Sequence, residues 1–156
     1  FYGTELWEVM AKNQNYKPSL LAEIKELMKQ PGVEQVGAVN QRRMAEEWGK
    51  AEYLLFPRNP ENCVGEGVLI EAMASGVIII ASDKGNIPEY VGGAGIIIEG
   101  DPESEEWQES MLTVLGEIKD DKELKQVMIK RGKERAKEFS WGRVVDKWEG
   151  IISEEI

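Results

Sequence analysis

Histidine is absent from the 156 residues of this chain. That absence removes imidazole bases, Ser-His-Asp and Cys-His nucleophile arrangements, and histidine-ligated metals together. Cysteine occurs once, at Cys63, which excludes an internal disulfide and a cysteine-rich zinc site and fits a reducing compartment. Positive charge is scarce: 19 Lys and Arg stand against 29 Asp and Glu, a formal net charge of −10. Nucleic-acid proteins normally show a basic footprint, so no nucleic-acid partner is expected. Long hydrophobic runs are missing too. The longest wholly apolar run covers residues 77–81, whereas a bilayer-crossing helix needs about 20 apolar residues, so no transmembrane segment is expected. Nothing at the start has the plan of a signal peptide. The chain begins at Phe1 rather than Met, and we expect the numbering to open inside a longer protein.

What remains is ordinary globular material, 42% apolar and 31% charged, of a length that suits one domain with a sizeable core. Short runs rich in β-branched residues, at 33–39, 53–56, 77–81 and 94–98, predict buried strands. Their near-continuous hydrophobicity suits parallel strands covered on both faces. Helical patterns lie between them. Thr4 is positioned to cap a helix to about Lys12, and Pro18 and Ser19 open another carrying Leu20, Leu21, Ile24, Leu27 and Met28. Further helices are predicted over 41–50 and 67–75, the latter stopped by Gly76, with a short turn at 87–91. After residue 100 the pattern is helical throughout: 102–117, 121–138, and a last helix behind Ser140 with Trp141, Val144, Val145, Trp148, Ile151 and Ile152 on one stripe. Strand–helix alternation followed by a helical tail predicts an α/β fold, a Rossmann-like doubly wound parallel sheet over 1–156 whose residues 101–156 form the helical tail of the same domain.

In such sheets ligands bind beyond the carboxyl ends of the strands. The loop after Phe56 is therefore the informative one. It carries Glu61, Cys63, Gly65, Glu66 and Gly67 and runs straight into a helix beginning Val68-Leu69-Ile70-Glu71. A glycine-containing loop feeding a helix N-terminus presents unpaired amides and partial positive charge, to which a phosphate or diphosphate is suited. A carboxylate one turn deeper, Glu71, can accept hydrogen bonds from two adjacent ribose hydroxyls. The bland alternative is that Gly65 and Gly67 make only a turn and Glu71 only meets water. The loop is neither a Walker P-loop nor G-x-G-x-x-G, so NTPase and NAD readings lack support.

Several blocks in sequence resemble the group 1 glycosyltransferases, retaining enzymes of GT-B fold. Glu71-Ala72-Met73-Ala74-Ser75-Gly76 resembles their E-A-M-A-x-G helix, and the strand through Ser82 their P-V-I-A-S strand. Gly85-Asn86-Ile87-Pro88-Glu89 resembles their G-G-x-P-E loop. The runs at 33–39, 51–57 and 95–98, and Phe139-Ser140-Trp141, match further family blocks in order. The resemblance implies the C-terminal, donor-binding half of a GT-B enzyme that moves a sugar from a nucleotide-diphosphate sugar to an acceptor hydroxyl with retention, without cofactor or metal. It places the donor ribose on Glu71, the diphosphate against backbone of Gly65, Glu66, Gly67 and Val68, the base near Val39 and Asn40, and the sugar-phosphate cleft beside Gly85. The acceptor itself stays unspecified.

The departures bear on catalysis. The first glutamate of the family's E-x7-E pair falls on Cys63, and Glu61 serves as the candidate catalytic carboxylate only through a two-residue insertion. Glu66 stands where a phosphate-facing glycine is usual, and there a carboxylate repels a diphosphate unless it turns away. Ile78 replaces the strand's proline and Asn86 the loop's second glycine. A noncatalytic GT-B-like scaffold or partner-binding module is the alternative reading, and a nucleotide-sugar epimerase a third.

Other features have plain readings. Cys63 reads as a passive loop residue. The acidic run at 103–106 complements a helix start. The locally basic stretch at 121–138 reads as a solvated face with i,i+4 pairs such as Lys130 with Glu134. Trp107, Trp141 and Trp148 are expected to pack and anchor helices. The expected location is the cytoplasm, with peripheral contact at the inner membrane face as an option for the basic helix. The family's G-R-x-x-x-K-G segment and acceptor domain are not in this sequence. The isolated chain is therefore expected to transfer no sugar, and release of nucleoside diphosphate from sugar donors measures this.

Overall fold

A computed structural model describes residues 18–59 and 66–154, with side chains from residue 22 to residue 153 of these. The expected helix at 4–12 lies outside them. The chain divides into two compact units, residues 1–44 and 45–156. Among the described residues there are seven helices and three strands.

In the first unit, α1 spans Pro18–Leu27 and ends in a turn in which Gly32 has φ 87°. The run at 33–39, expected as a strand, pairs with nothing among the described residues and is irregular. Gly37, at φ 77°, turns the backbone out of the extended path that a ladder needs. Asn40 then caps α2, Gln41–Trp48, whose residues from Ala45 onward are assigned to the second unit; its Oδ1 accepts from the Arg43 amide at 2.9 Å.

The second unit is built on a parallel sheet in the order β1-β2-β3: Tyr53–Phe56, Ile78–Ser82 and Ile96–Ile98. Tyr53 pairs with Ile78 and Phe56 with Ala81; Ile80 pairs with Ile96 and Ser82 with Ile98. All five residues of β2 are buried. Because side chains alternate across a strand, β2 supplies both layers of the core. Ile79 and Ala81 face a cluster with Leu69, Ala72 and Met73 of α3, Gly67–Ser75, and with Ile87 and Val91 of α4, Ile87–Val91. Ile80 faces the other layer with Ile98, and with Trp107 and Ile118 of α5, Glu105–Ile118. A strand buried on both faces has no polar side to show, which explains its unbroken Ile-rich sequence.

The helices start and stop where chemistry directs. Ser104 Oγ accepts from the Trp107 amide to cap α5, and Asp121 Oδ1 from the Leu124 amide to cap α6, Lys122–Lys137. Gly76, left-handed at φ 86°, ends α3 and lets the chain turn into β2. Buried Gly132 lets α6 lie close against Met73 of α3. Arg135 of α6 donates to the carbonyls of Glu89 and Tyr90 at the end of α4, pairs with Glu138, and lies 4.8 Å from the centroid of Phe139, which stacks on Tyr90. Trp107 is 2% exposed and donates its indole N–H to the Ile98 carbonyl at 3.0 Å. The other two expected anchors differ. Trp141 and Trp148, on α7 (Trp141–Glu154), are 84% and 62% exposed. The stripe on that helix is real as a pattern but meets no core among the described residues.

Gly95 marks the tightest approach. A Cβ there would stand 2.7 Å from the Ile79 carbonyl oxygen and 3.0 Å from Val91 Cγ1. Gly95→Ala is therefore expected to destabilise the protein by about 1–3 kcal/mol, the usual cost of overpacking, read from urea denaturation.

Candidate functional site

Since α3 ends where β2 begins, it runs back against the strand direction, and its N-terminus lies at the carboxyl edge of the sheet. Three loops meet at this edge, following β1, β2 and β3. Ser82, the last residue of β2 and fully buried, donates its hydroxyl to the Arg58 carbonyl at 2.5 Å. Asn59 donates its side-chain amide to Glu103 Oε1 at 2.9 Å, tying the loop after β1 to that after β3. The first bond holds the Arg58 carbonyl; the second links the next side chain to Glu103 at the surface.

Glu66 occupies the N-cap position of α3 but makes no side-chain bond to the first-turn amides. Its carboxylate instead lies 3.6 Å from Arg58, with the glutamate side chain 14% exposed and the arginine 47% exposed. At that length the pair is held by charge rather than by a hydrogen bond. Arg58 also sits over the Phe56 ring, 5.9 Å from its centroid. The carboxylate that the sequence places against a phosphate is thus paired with a cation. Gly67 and Val68 open the helix behind it.

Glu71 lies one turn on and is exposed. Its backbone carbonyl accepts from Ser75 Oγ at 2.9 Å, and among the described residues its carboxylate has no hydrogen-bond partner. Gly85, at φ 56°, shapes the loop after β2. On either side of it, Asp83 Oδ1 and Asn86 Oδ1 are buried without a hydrogen-bond donor. The Lys84 ammonium lies 3.3 Å from Asp83 Oδ1.

The structure therefore brings Glu66, Gly67, Val68 and Glu71 together on one helix, with Gly85 on a neighbouring loop of the same edge. Val39 and Asn40 belong to the first unit, where Asn40 is occupied in capping α2. Glu61, Cys63 and Gly65 lie outside the described residues. Sequence reasoning missed Arg58, Ser82 and Asp83 as parts of this edge. Their signal was position, at or just past the carboxyl end of a predicted strand.

Surface clefts among the described residues lie elsewhere. One of about 380 Å³ runs between Gly92 and Arg131, and one of about 310 Å³ lies at the amino edge between Glu52 and Lys122. Each mixes cations with carboxylates, which suits neither a simple anion nor a cation. Among the described residues no three acidic, cysteine or histidine side chains gather to hold a metal, and no helix is long and apolar enough to cross a membrane.

The family model described as glycosyl transferases group 1 matches residues 9–117, more than two thirds of the chain. No curated protein matches it. The match spans the β1–α3–β2 segment that forms the edge. Loss of the Ser82 hydroxyl leaves the Arg58 carbonyl without its buried donor, so Ser82→Ala is expected to cost about 1–3 kcal/mol, measured by chemical denaturation.

Proposed function

This chain belongs to the group 1 glycosyltransferases, and on that premise we propose that its second unit binds the nucleoside-diphosphate end of a sugar donor at the carboxyl edge of the sheet. One observation carries the reading. The N-cap carboxylate of α3 lies against Arg58 and makes no side-chain bond to the first-turn amides, so it does not cap the helix. A helix N-terminus without a carboxylate cap, its dipole and a cation close by together favour a diphosphate. Glu71, exposed one turn further along, then accepts the two ribose hydroxyls.

The mechanism follows from the charge that develops. As the bond between the sugar and the diphosphate breaks, negative charge grows on the leaving oxygen. Amides and dipoles already aimed there stabilise it without reorganising. An acceptor hydroxyl attacks from the face the leaving group departs and passes its proton to the departing diphosphate oxygen, which gives retention. This chain's share is to grip the leaving group and orient the sugar. Glu61, if set by the two-residue insertion, supplies the carboxylate beside the reacting carbon.

Calorimetric titration with uridine, guanosine and adenosine diphosphates tests the reading. At least one is expected to bind, and Glu71→Ala is expected to weaken it about tenfold to hundredfold, the ~1.5–3 kcal/mol of hydrogen bonds to a charged group. Binding of none of the three supports the scaffold reading that Cys63, in the register of the first glutamate, favours.

A further inference from the structure

We infer that the exposed apolar face of α7 pairs with the same face of a second copy of this chain, the two helices parallel about a two-fold axis. The inference stands apart from the donor reading and concerns the other end of the second unit's sequence. Three observations converge. First, α7 is left almost bare among the described residues. Every side chain described on it is exposed except Val144, which is half-buried. Trp141 is 84% and Trp148 62% exposed, and Val145, Ile151 and Ile152 are each about half exposed. A helix of this length is marginal in water by itself and owes its stability to packing of its apolar face. Two glycines and four β-branched residues make this one a poor helix former on propensity alone, so the face calls for a cover.

Second, the face is large enough for a dimer. Its two tryptophans alone bury on the order of 300 Å² when covered. With the aliphatic side chains, each copy approaches the roughly 800 Å² a side of an ordinary specific interface. Trp141 and Trp148 fall on the a positions of a heptad and Val144 and Ile151 on the d positions, the seam of a two-stranded coil.

Third, the charges select the occupant and its direction. Each residue turns a helix by about 100°, so Lys147 and Glu149 stand on opposite flanks of Trp148 at nearly the same height. Arg143 joins the flank of Lys147, and Asp146 that of Glu149. A lipid surface favours Lys and Arg along the polar face, and here one whole flank is acidic. In a parallel pair each flank meets the opposite flank of the other copy, so Lys147 faces Glu149 twice across the axis. An antiparallel pair sets Lys147 against Lys147.

Sedimentation equilibrium of the whole chain from micromolar to millimolar concentration tests this. A reversible dimer is expected. Trp148→Asp is expected to raise the dimer Kd at least a hundredfold with the urea midpoint unchanged, since that side chain is exposed in its own copy. Lys147→Glu and Glu149→Lys are each expected to raise the Kd about tenfold, each turning two attractions into two repulsions. The doubly substituted Lys147→Glu, Glu149→Lys chain is expected to recover the original Kd, because it only exchanges the two partners. A monomer at every concentration overturns the inference, whether or not it binds phosphatidylcholine vesicles. A dimer indifferent to Trp148→Asp, or to both single charge reversals, uses another surface and overturns it. Lys147→Glu pairing more tightly with the unsubstituted chain than that chain pairs with itself marks an antiparallel dimer and overturns it too. None of these outcomes bears on whether nucleoside diphosphates bind, so the donor reading stands or falls separately.

Discussion

Everything in the second unit depends on the burial of β2 between two parallel partners. Its five residues are buried, so each face must be covered and each backbone group paired. Parallel neighbours cannot be joined by a tight turn; the chain must cross over the sheet between them. The crossover after β1 is α3, which covers the Ile79 and Ala81 face with Leu69, Ala72 and Met73. The crossover after β2 uses α4 and returns through Gly95, where the backbone passes so close to Ile79 that no side chain fits. Once these crossovers are set, the N-terminus of α3 has one place to be, the carboxyl edge. The position of the site is thus a consequence of how a doubly buried strand is covered.

Much of this was legible in the sequence because hydrophobic burial writes a clear pattern. The strands at β1, β2 and β3, and the helices that follow them, come from unbroken β-branched runs and from 3.6-residue periodicity, with ends marked by Gly76, Ser104 and Asp121. The run at 33–39 misled for a specific reason. Val33, Val36 and Val39 have strand-like composition, but composition does not supply a pairing partner, and Gly37 takes a left-handed turn within it. The tryptophans make the same point. Trp107, Trp141 and Trp148 all sit on amphipathic helices, yet only Trp107 meets the sheet, where the Ile98 carbonyl also satisfies its N–H. Periodicity reports that a face is apolar; it does not report what lies across from it. The site was legible by halves. Glycines before a helix and a carboxylate one turn in are local signals, and local signals read well. The Ser82–Arg58 and Asn59–Glu103 bonds join residues 24 and 44 apart in sequence, and no spacing rule anticipates them.

Glu66 shows how one pairing reverses an electrostatic expectation. Read alone, an acidic residue at the mouth of α3 opposes an anion. It also complements the helix dipole and would ordinarily cap the first turn. Here it does neither of the expected things, because Arg58 is fixed within reach and draws it sideways. Its carboxylate then lies beside a guanidinium and makes no side-chain bond to the first-turn amides. A glycine at this position would leave the helix without a side-chain cap as well, but would take the carboxylate away from Arg58. A glutamine would hold it without charge. Of these choices only the acid restrains the arginine by opposite charge. Such an edge is expensive to form only once, during folding, when Ser82 and Glu66 surrender their water. Groups that the fold already holds in place lose little freedom to a later contact. That is the physical sense in which a stable sheet, built for reasons of burial alone, orders the loops at its rim.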